Sequence, residues 1–292
     1  MEGLLLVDKP AGLTSHDVVA RVRRWSGERR VGHAGTLDPA ATGVLVLLLG
    51  RATRLAQYLT HTAKRYQALI HLGVSTSTDD AEGEVLATAP VQFELETLQA
   101  AVASFLGEQL QVPPAYAAIK VKGEPLYRRA RRGETVIPEP RRVHFYALEL
   151  LDWTPPYLRL EVTCSAGTYI RSLARDLGQR LGCGGHLREL RRLASGSFTL
   201  EDSLSLEQVQ ALAEAGKLAE ALLPPTAALA TWPRVTLDPD LARAMRHGQT
   251  LTLPDLAPAP HVCAFAEDGH WLGLLIPQAD GIWRPDLVWE GL

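Results

Sequence analysis

The chemistry-bearing residues of this chain concentrate in Gly32 to Leu45, GHAGTLDPAATGVL, where a single carboxylate stands among glycines, threonines and a proline. Asp38 precedes Pro39, which biases its backbone to an extended or turn conformation. The run Val-Leu-Val-Leu-Leu-Leu after Gly43 has the length and branching of a buried strand. A loop anchored by such a strand projects its carboxylate from a rigid support. A carboxylate held there can attack carbon or stabilise positive charge developing beside it. An Asp-Pro pair by itself is most often just a turn, so the weight falls on what accompanies it.

Other chemistries lack their usual footholds. The chain has no Walker-type glycine loop, no His-Glu-x-x-His and no Gly-x-Ser-x-Gly. Cys164, Cys183 and Cys263 form no close pair and are odd in number, so reduced thiols are expected, not a disulfide framework or a thiolate metal site. The apolar runs Gly3 to Val7 and Gly43 to Gly50 fall short of the roughly 18 to 20 residues of a membrane-spanning helix. Asp8, Lys9 and Pro10 interrupt the first run too early for a secretory peptide. A cytoplasmic chain is expected. With 46% hydrophobic and 22% charged residues it is an ordinary globular sequence, and 292 residues favour two domains over one.

The elements that must position Asp38 can be read around it. A strand, Leu4 to Val7, leads through a Pro/Gly turn into a helix from about Thr14 to Trp25. Thr14 and Asp17 fit a capping box there, with Val18, Val19, Val22 and Trp25 on one face and Arg21, Arg23 and Arg24 on the other. Arg65 to Leu72 and Leu158 to Cys164 alternate as half-exposed strands, with Tyr66 sharing a face with Ala68, Ile70 and Leu72. A helix beginning near Thr168 carries the apolar stripe Ile170, Leu173, Leu177 and Leu181, which leaves Arg171 off its centre. Without further context Arg171 reads as a surface arginine and Tyr66 as a core tyrosine. Strands and helices mix without a βαβ rhythm, which favours an α+β fold with a mixed, largely antiparallel sheet flanked by helices. After a Pro-rich stretch at Leu223 to Pro225 and Trp232-Pro233, the Asp268-Gly269 pair between two apolar runs signals a hairpin. The expected domains are a catalytic part, 1–230, and a small all-β part, 231–292.

The aspartate segment resembles the catalytic-aspartate motif of the TruB family of RNA pseudouridine synthases. Lys64-Arg65-Tyr66 resembles that family's second motif and GTYIRSLARDLG, Gly167 to Gly178, its third. Gly185-His186-Leu187, Leu190-Arg191-Arg192 and the opening Leu6 to Ser15 follow the same order. The resemblance implies that Asp38 is the essential carboxylate for turning uridine into pseudouridine, by breaking the N1 glycosidic bond, turning the uracil and rejoining it through C5. No cofactor or metal is implied. Attack at the sugar C1′, attack at ring C6 and charge stabilisation at C1′ all remain open. A buried Asp38 that must be ionised needs a nearby cation, and the resemblance offers Arg171. It further implies that Tyr66 stacks on the uracil and takes part in removing the C5 proton. His33 enters the RNA where the base was extruded, Tyr169 and Leu190 wall the pocket, and Lys64 lies near the phosphate of the flipped nucleotide. The segment from about Trp232 resembles a PUA-type RNA-binding module. The partner so implied is tRNA, through its T stem-loop at position 55 in conventional tRNA numbering, acted on by a monomer without an obligate protein partner. Two alternatives are a guide-RNA-directed relative in the same family and a tRNA-binding folding factor without chemistry.

The formal charge of −3, from 30 Lys and Arg against 33 Asp and Glu, gives no bulk reason to expect nucleic acid. Its distribution does. Lys120, Lys122, Arg128, Arg129, Arg131, Arg132, Arg141 and Arg142 cluster, interleaved with Tyr116 and Tyr127, and Arg171, Arg175, Arg180, Arg188, Arg191 and Arg192 form a second group. Acidic residues, Asp79 and Asp80 among them, are expected apart from these, which leaves a basic face for phosphates.

Overall fold

The computed structural model describes residues 1–116, 120–121, 124–125, 138–279 and 281–289. They divide into two compact units, Met1–Leu223 and Pro224–Leu292.

The first unit is built on a ten-stranded sheet. Its principal strands are β1 (Gly3–Lys9), β2 (Thr42–Leu49), β3 (Lys64–Leu72), β4 (Gly107–Gln111), β5 (Arg141–Thr154), β6 (Tyr157–Cys164) and β7 (Gly185–Ser195). They run in the spatial order β1-β2-β7-β3-β6-β5-β4, with Leu204–Ser205 beyond β1 and the short strand Val31–Ala34 paired to β2. The β7–β2 pair, with Arg191 opposite Thr42 and Arg192 opposite Gly43, is parallel, as is the β1 contact with Leu204–Ser205. The other neighbours are antiparallel. This is the mixed, largely antiparallel α+β architecture that the sequence leads one to expect.

The strand behind Asp38 is buried along nearly its whole length, because each face has its own cover. Leu45, Leu47 and Leu49 pack with Leu5 and Val7 against Val18, Val19 and Val22 of helix α1 (Ser15–Ser26) and against Leu206 and Val209. The Thr14 and Asp17 capping box is formed, and Gly27 ends the helix in the left-handed conformation at φ 67°. On β3 the alternation is strict. Lys64, Tyr66, Ala68, Ile70 and Leu72 face the core, where Leu158, Leu160 and Val162 meet Ile170, Leu173, Ala174 and Leu177 of helix α2 (Ile170–Arg180).

The second unit carries a five-stranded sheet in the order Arg234–Leu237, Val262–Ala266, Trp271–Pro277, Ile282–Val288, Leu251–Thr252. The expected hairpin is there, with Gly269 at φ 83° in its turn. One helix, Pro239–Arg246, packs Ala242 and Met245 onto the sheet and is capped by Asp238. Among the described residues no helix is long and apolar enough to cross a membrane.

Candidate active site

Asp38 lies in the short connection between Val31–Ala34 and β2, and buried polar groups hold that connection at nearly every residue. The Leu37 N–H donates to the Ser15 hydroxyl at 2.8 Å, and the hydroxyl donates to the Leu37 carbonyl at 3.2 Å. The Pro39 carbonyl accepts from the Gly12 N–H at 2.9 Å and from Lys9 Nζ at 3.1 Å. Lys9 is fully buried and also donates to the Pro10 and Leu13 carbonyls. Burial lowers its pKa to about 8, with Arg192 adding to the shift and Asp38 and Asp17 opposing it. The guanidinium of Arg192 donates to the carbonyls of Gly35 at 3.0 Å, Thr36 at 3.4 Å and Val44 at 2.7 Å.

The Asp38 carboxylate faces Arg171, the second residue of α2. Arg171 Nε lies 3.0 Å from Oδ2 and Nη2 lies 3.3 Å from Oδ1, so the two groups meet along an edge. Arg171 is 5% exposed, so it is not the surface arginine that its sequence suggests without further context. Its Nη1 reaches Asp80 Oδ2 at 3.3 Å and the Thr78 carbonyl at 3.4 Å. One helical turn on, Arg175 holds Asp79 at 2.9 Å, and Asp79 takes a left-handed backbone conformation at φ 60°. The acidic turn that the sequence sets apart from the site therefore supplies a carboxylate to each of two arginines in it. The sequence carries no local signal of this, since 91 residues separate Asp80 from Arg171. Burial raises the Asp38 pKa above the ordinary carboxylate value. Arg171 and Lys9 pull it down and Asp80 pushes it further up. The cation expected beside Asp38 is present, and the desolvation of the carboxylate outweighs it.

A cavity of about 290 Å³ opens on this pair, lined by Asp38, Lys64, Tyr66, Tyr169, Arg171, Leu190 and Arg192 among others. Its size falls at the low end for small-molecule sites, on the order of 300–1,000 Å³, and suits a single nucleobase. Tyr66 is buried, and burial raises its phenol pKa while Arg192 opposes the shift. Tyr169 is fixed by its main chain. Its N–H donates to Gln111 Oε1 at 2.8 Å and its carbonyl accepts from Gln111 Nε2 at 3.0 Å. Lys64 turns its ammonium to the carbonyls of Leu59, Thr60 and Thr62 and to the Thr62 hydroxyl. Its pKa is lowered to about 8, chiefly by burial.

Six of the seven residues singled out in the sequence thus line one cavity, and His33 does not. His33 stands on the strand Val31–Ala34, opposite Leu47, where the sequence suggests a loop. Its Nδ1 is buried without a partner, and its pKa is lowered by burial and by the nearby Arg192 and His16. Lys9, Ser15, Asp80, Gln111 and Arg192 are part of the site without having been assigned to it. A signal for Lys9 exists, since it shares the strand face of Leu5 and Val7.

The basic face also needs correction. In the second group, Arg171 and Arg192 are buried, Arg175 is paired with Asp79 and Asp176, and Arg191 with Asp8 at 2.7 Å. Only Arg180 and Arg188 of the six are exposed, and Arg180 lies over the Phe105 ring. In the first group, Lys122, Arg128, Arg129, Arg131, Arg132 and Tyr127 lie outside the described residues, Lys120 is described by its backbone alone, and Arg141 and Arg142 are exposed on β5.

Residues 23–170 match the profile of the TruB family pseudouridylate synthase N-terminal domain, and residues 171–230 that of the tRNA pseudouridylate synthase B C-terminal domain. Over 294 residues the chain is 46% identical to the tRNA pseudouridine synthase B of Xanthomonas campestris pv. campestris (strain B100), covering 100% of this chain and 95% of that protein. Over 289 residues it is 43% identical to that of Dehalococcoides mccartyi (strain CBDB1), covering 99% and 96%. Among solved structures, it superposes with a TM-score of 0.77 on a chain of a Cbf5-Nop10-Gar1 complex, at 27% identity, covering 99% of this chain and 85% of that one. A chain of an H/ACA RNP bound to a substrate RNA containing 2′-deoxyuridine gives 0.74 at 26% identity, covering 98% and 84%. With motifs, fold and relatives in agreement over its length, the chain belongs to the TruB family and is an RNA pseudouridine synthase.

Proposed function

We propose that this enzyme converts uridine to pseudouridine in the T loop of tRNA, at position 55 in conventional numbering, with Asp38 as its essential carboxylate. It acts as a stand-alone monomer in the cytoplasm. The observation that carries the reading is the edge-on pairing of Asp38 with buried Arg171 at a cavity sized for one base. The reaction is an isomerisation. The N1–C1′ bond breaks, a C5–C1′ bond forms, C5 gives up its proton and N1 gains one. Asp38 serves it by bonding to carbon at C1′ or C6, or by stabilising positive charge at C1′. Arg171 holds both carboxylate oxygens so that one face of the group points at the base, and Tyr66 stacks on the uracil and lies beside C5. Tyr169 and Leu190 complete the walls.

A uridine in a stacked loop has to leave its stack to reach this cavity. His33 fills the vacated place. Burial is the main reason that Lys9, Lys64 and His33 are shifted toward their neutral forms, and the Arg192 charge adds to each shift. Lys64 contributes its field to the nucleotide's phosphate side, since its donors are engaged by Leu59, Thr60 and Thr62. The C-terminal unit is a PUA-like contact for the rest of the RNA. Support for tRNA as the substrate comes from the relatives that carry that name over nearly the whole chain.

The test is tritium release from unmodified tRNA labelled at uridine C5, with the protein alone. Release from tRNA and from a minimal T stem-loop, abolished by Asp38→Asn, is expected. Release only after a guide RNA is added would reassign the enzyme to the guide-directed branch. Tight binding without release would leave a folding factor.

A further inference from the structure

We infer that Arg192 is a positioning residue of this site, tying the Asp38 connection to the strand that carries Tyr66 and holding no phosphate of the RNA. The inference rests on the reading of Asp38 as the reacting carboxylate. Arg192 heads the bulkiest fully buried side chains among the described residues, at 1% exposure. Its place in the sheet is central, because on β7 it is in register with Gly43 of β2 on one side and with Tyr66 of β3 on the other. The Gly43 contact is too close for any side chain. A Cβ there would sit 2.2 Å from the Arg192 carbonyl oxygen, and Gly43 has φ 102°.

The side chain repeats what the backbone does. Its bonds to Gly35, Thr36 and Val44 bracket Asp38 on both sides, so the connection is held from one rigid fork. A guanidinium has five N–H donors. Three carbonyls engage it and the side chain is buried, which leaves little to offer a phosphate. Among the described residues no carboxylate pairs with Arg192. A buried charge without a carboxylate partner is expensive. An apolar replacement would leave the Gly35, Thr36 and Val44 carbonyls without these donors, so the arginine both satisfies them and fixes the placement of Asp38 relative to Tyr66.

The experiment compares Arg192→Gln and Arg192→Lys with wild type by single-turnover rate at saturating tRNA, tRNA affinity and its salt dependence, and hydrogen exchange over residues 35–44. Misplacement of a reacting group costs about 100-fold in rate, and that loss is expected for Arg192→Gln. Affinity and salt slope should change by less than about twofold, with faster exchange over 35–44. Arg192→Lys keeps the buried charge but not the fork, and should recover only about a tenth of the wild-type rate. The result is read on that variant if Arg192→Gln does not fold. Wild-type rates in either folded variant overturn the inference, and so does a weakened affinity with a shallower salt slope, which would mark a phosphate contact. Activity retained by Asp38→Asn would sink the functional reading instead, so the two failures are distinct.

Discussion

The Ser15 hydroxyl and the Leu37 backbone form a closed pair. The hydroxyl accepts from the Leu37 N–H and donates to the Leu37 carbonyl, at 2.8 and 3.2 Å. Both residues are buried, and they join the first residue of α1 to the residue just before Asp38. Ser15→Ala leaves a buried N–H and carbonyl without this partner, at a cost of about 1–3 kcal/mol. Denaturant unfolding should show that loss. Single-turnover rates should fall about tenfold with tRNA affinity unchanged, since the defect is one of placement.

Asp80 affects Asp38 in two ways, by anchoring Arg171 and by adding a negative charge that raises the Asp38 pKa. Asp80→Asn removes the charge, so the acidic limb of the pH–rate profile should move to lower pH. The plateau rate should also drop, by about tenfold, because Arg171 loses one of its two carboxylates. A limb that stays in place, or moves up, contradicts the assignment of that limb to Asp38.

The raised pKa of Asp38 predicts that its ionised form costs stability. Its folded pKa lies above the ordinary carboxylate value, so between that value and the raised one the folded state binds more protons and stability declines as pH rises. Asp38→Asn should therefore unfold at a higher temperature than wild type at pH 7, and the gain should shrink as the pH falls through the raised pKa. Thermal melts at several pH values check both parts.

For Lys64 the direction is opposite. Its folded pKa, about 8, lies below the ordinary 10.5. Below pH 8 the ammonium is charged in both states and its burial cost is fully present. Between the two values the folded protein sheds the proton first, and stability rises by roughly 3 kcal/mol in the limit of that shift. Because cysteines and tyrosines also titrate in this range, the readout is the difference between wild type and Lys64→Met. The wild type should gain on the variant from pH 8 upward.

Much of this architecture is legible in the sequence where the signal is local. Thr14 and Asp17 cap α1, the alternation from Lys64 to Leu72 orients Tyr66, and the Asp268-Gly269 turn closes a hairpin. What escapes is long-range polar pairing. Nothing near Asp80 announces Arg171, and Arg192 reads as a surface residue because arginine ordinarily is one, although it is buried. The balance at Asp38 is equally hidden, since desolvation depends on packing that a single sequence does not display.

The two hydrogen bonds between Gln111 and Tyr169 join the outermost strand of the sheet to the residue that opens α2. Tyr169 provides no side-chain cap for its own helix. The Ser172 hydroxyl and Arg175 Nη2 both donate to the neighbouring Val112 carbonyl. The first turn of α2 therefore cannot fray on its own, as most helix ends do, and the sheet edge cannot peel away without it. Opening either one breaks bonds to the other, and the arginine that faces Asp38 stands on a helix start fastened to the edge of a sheet.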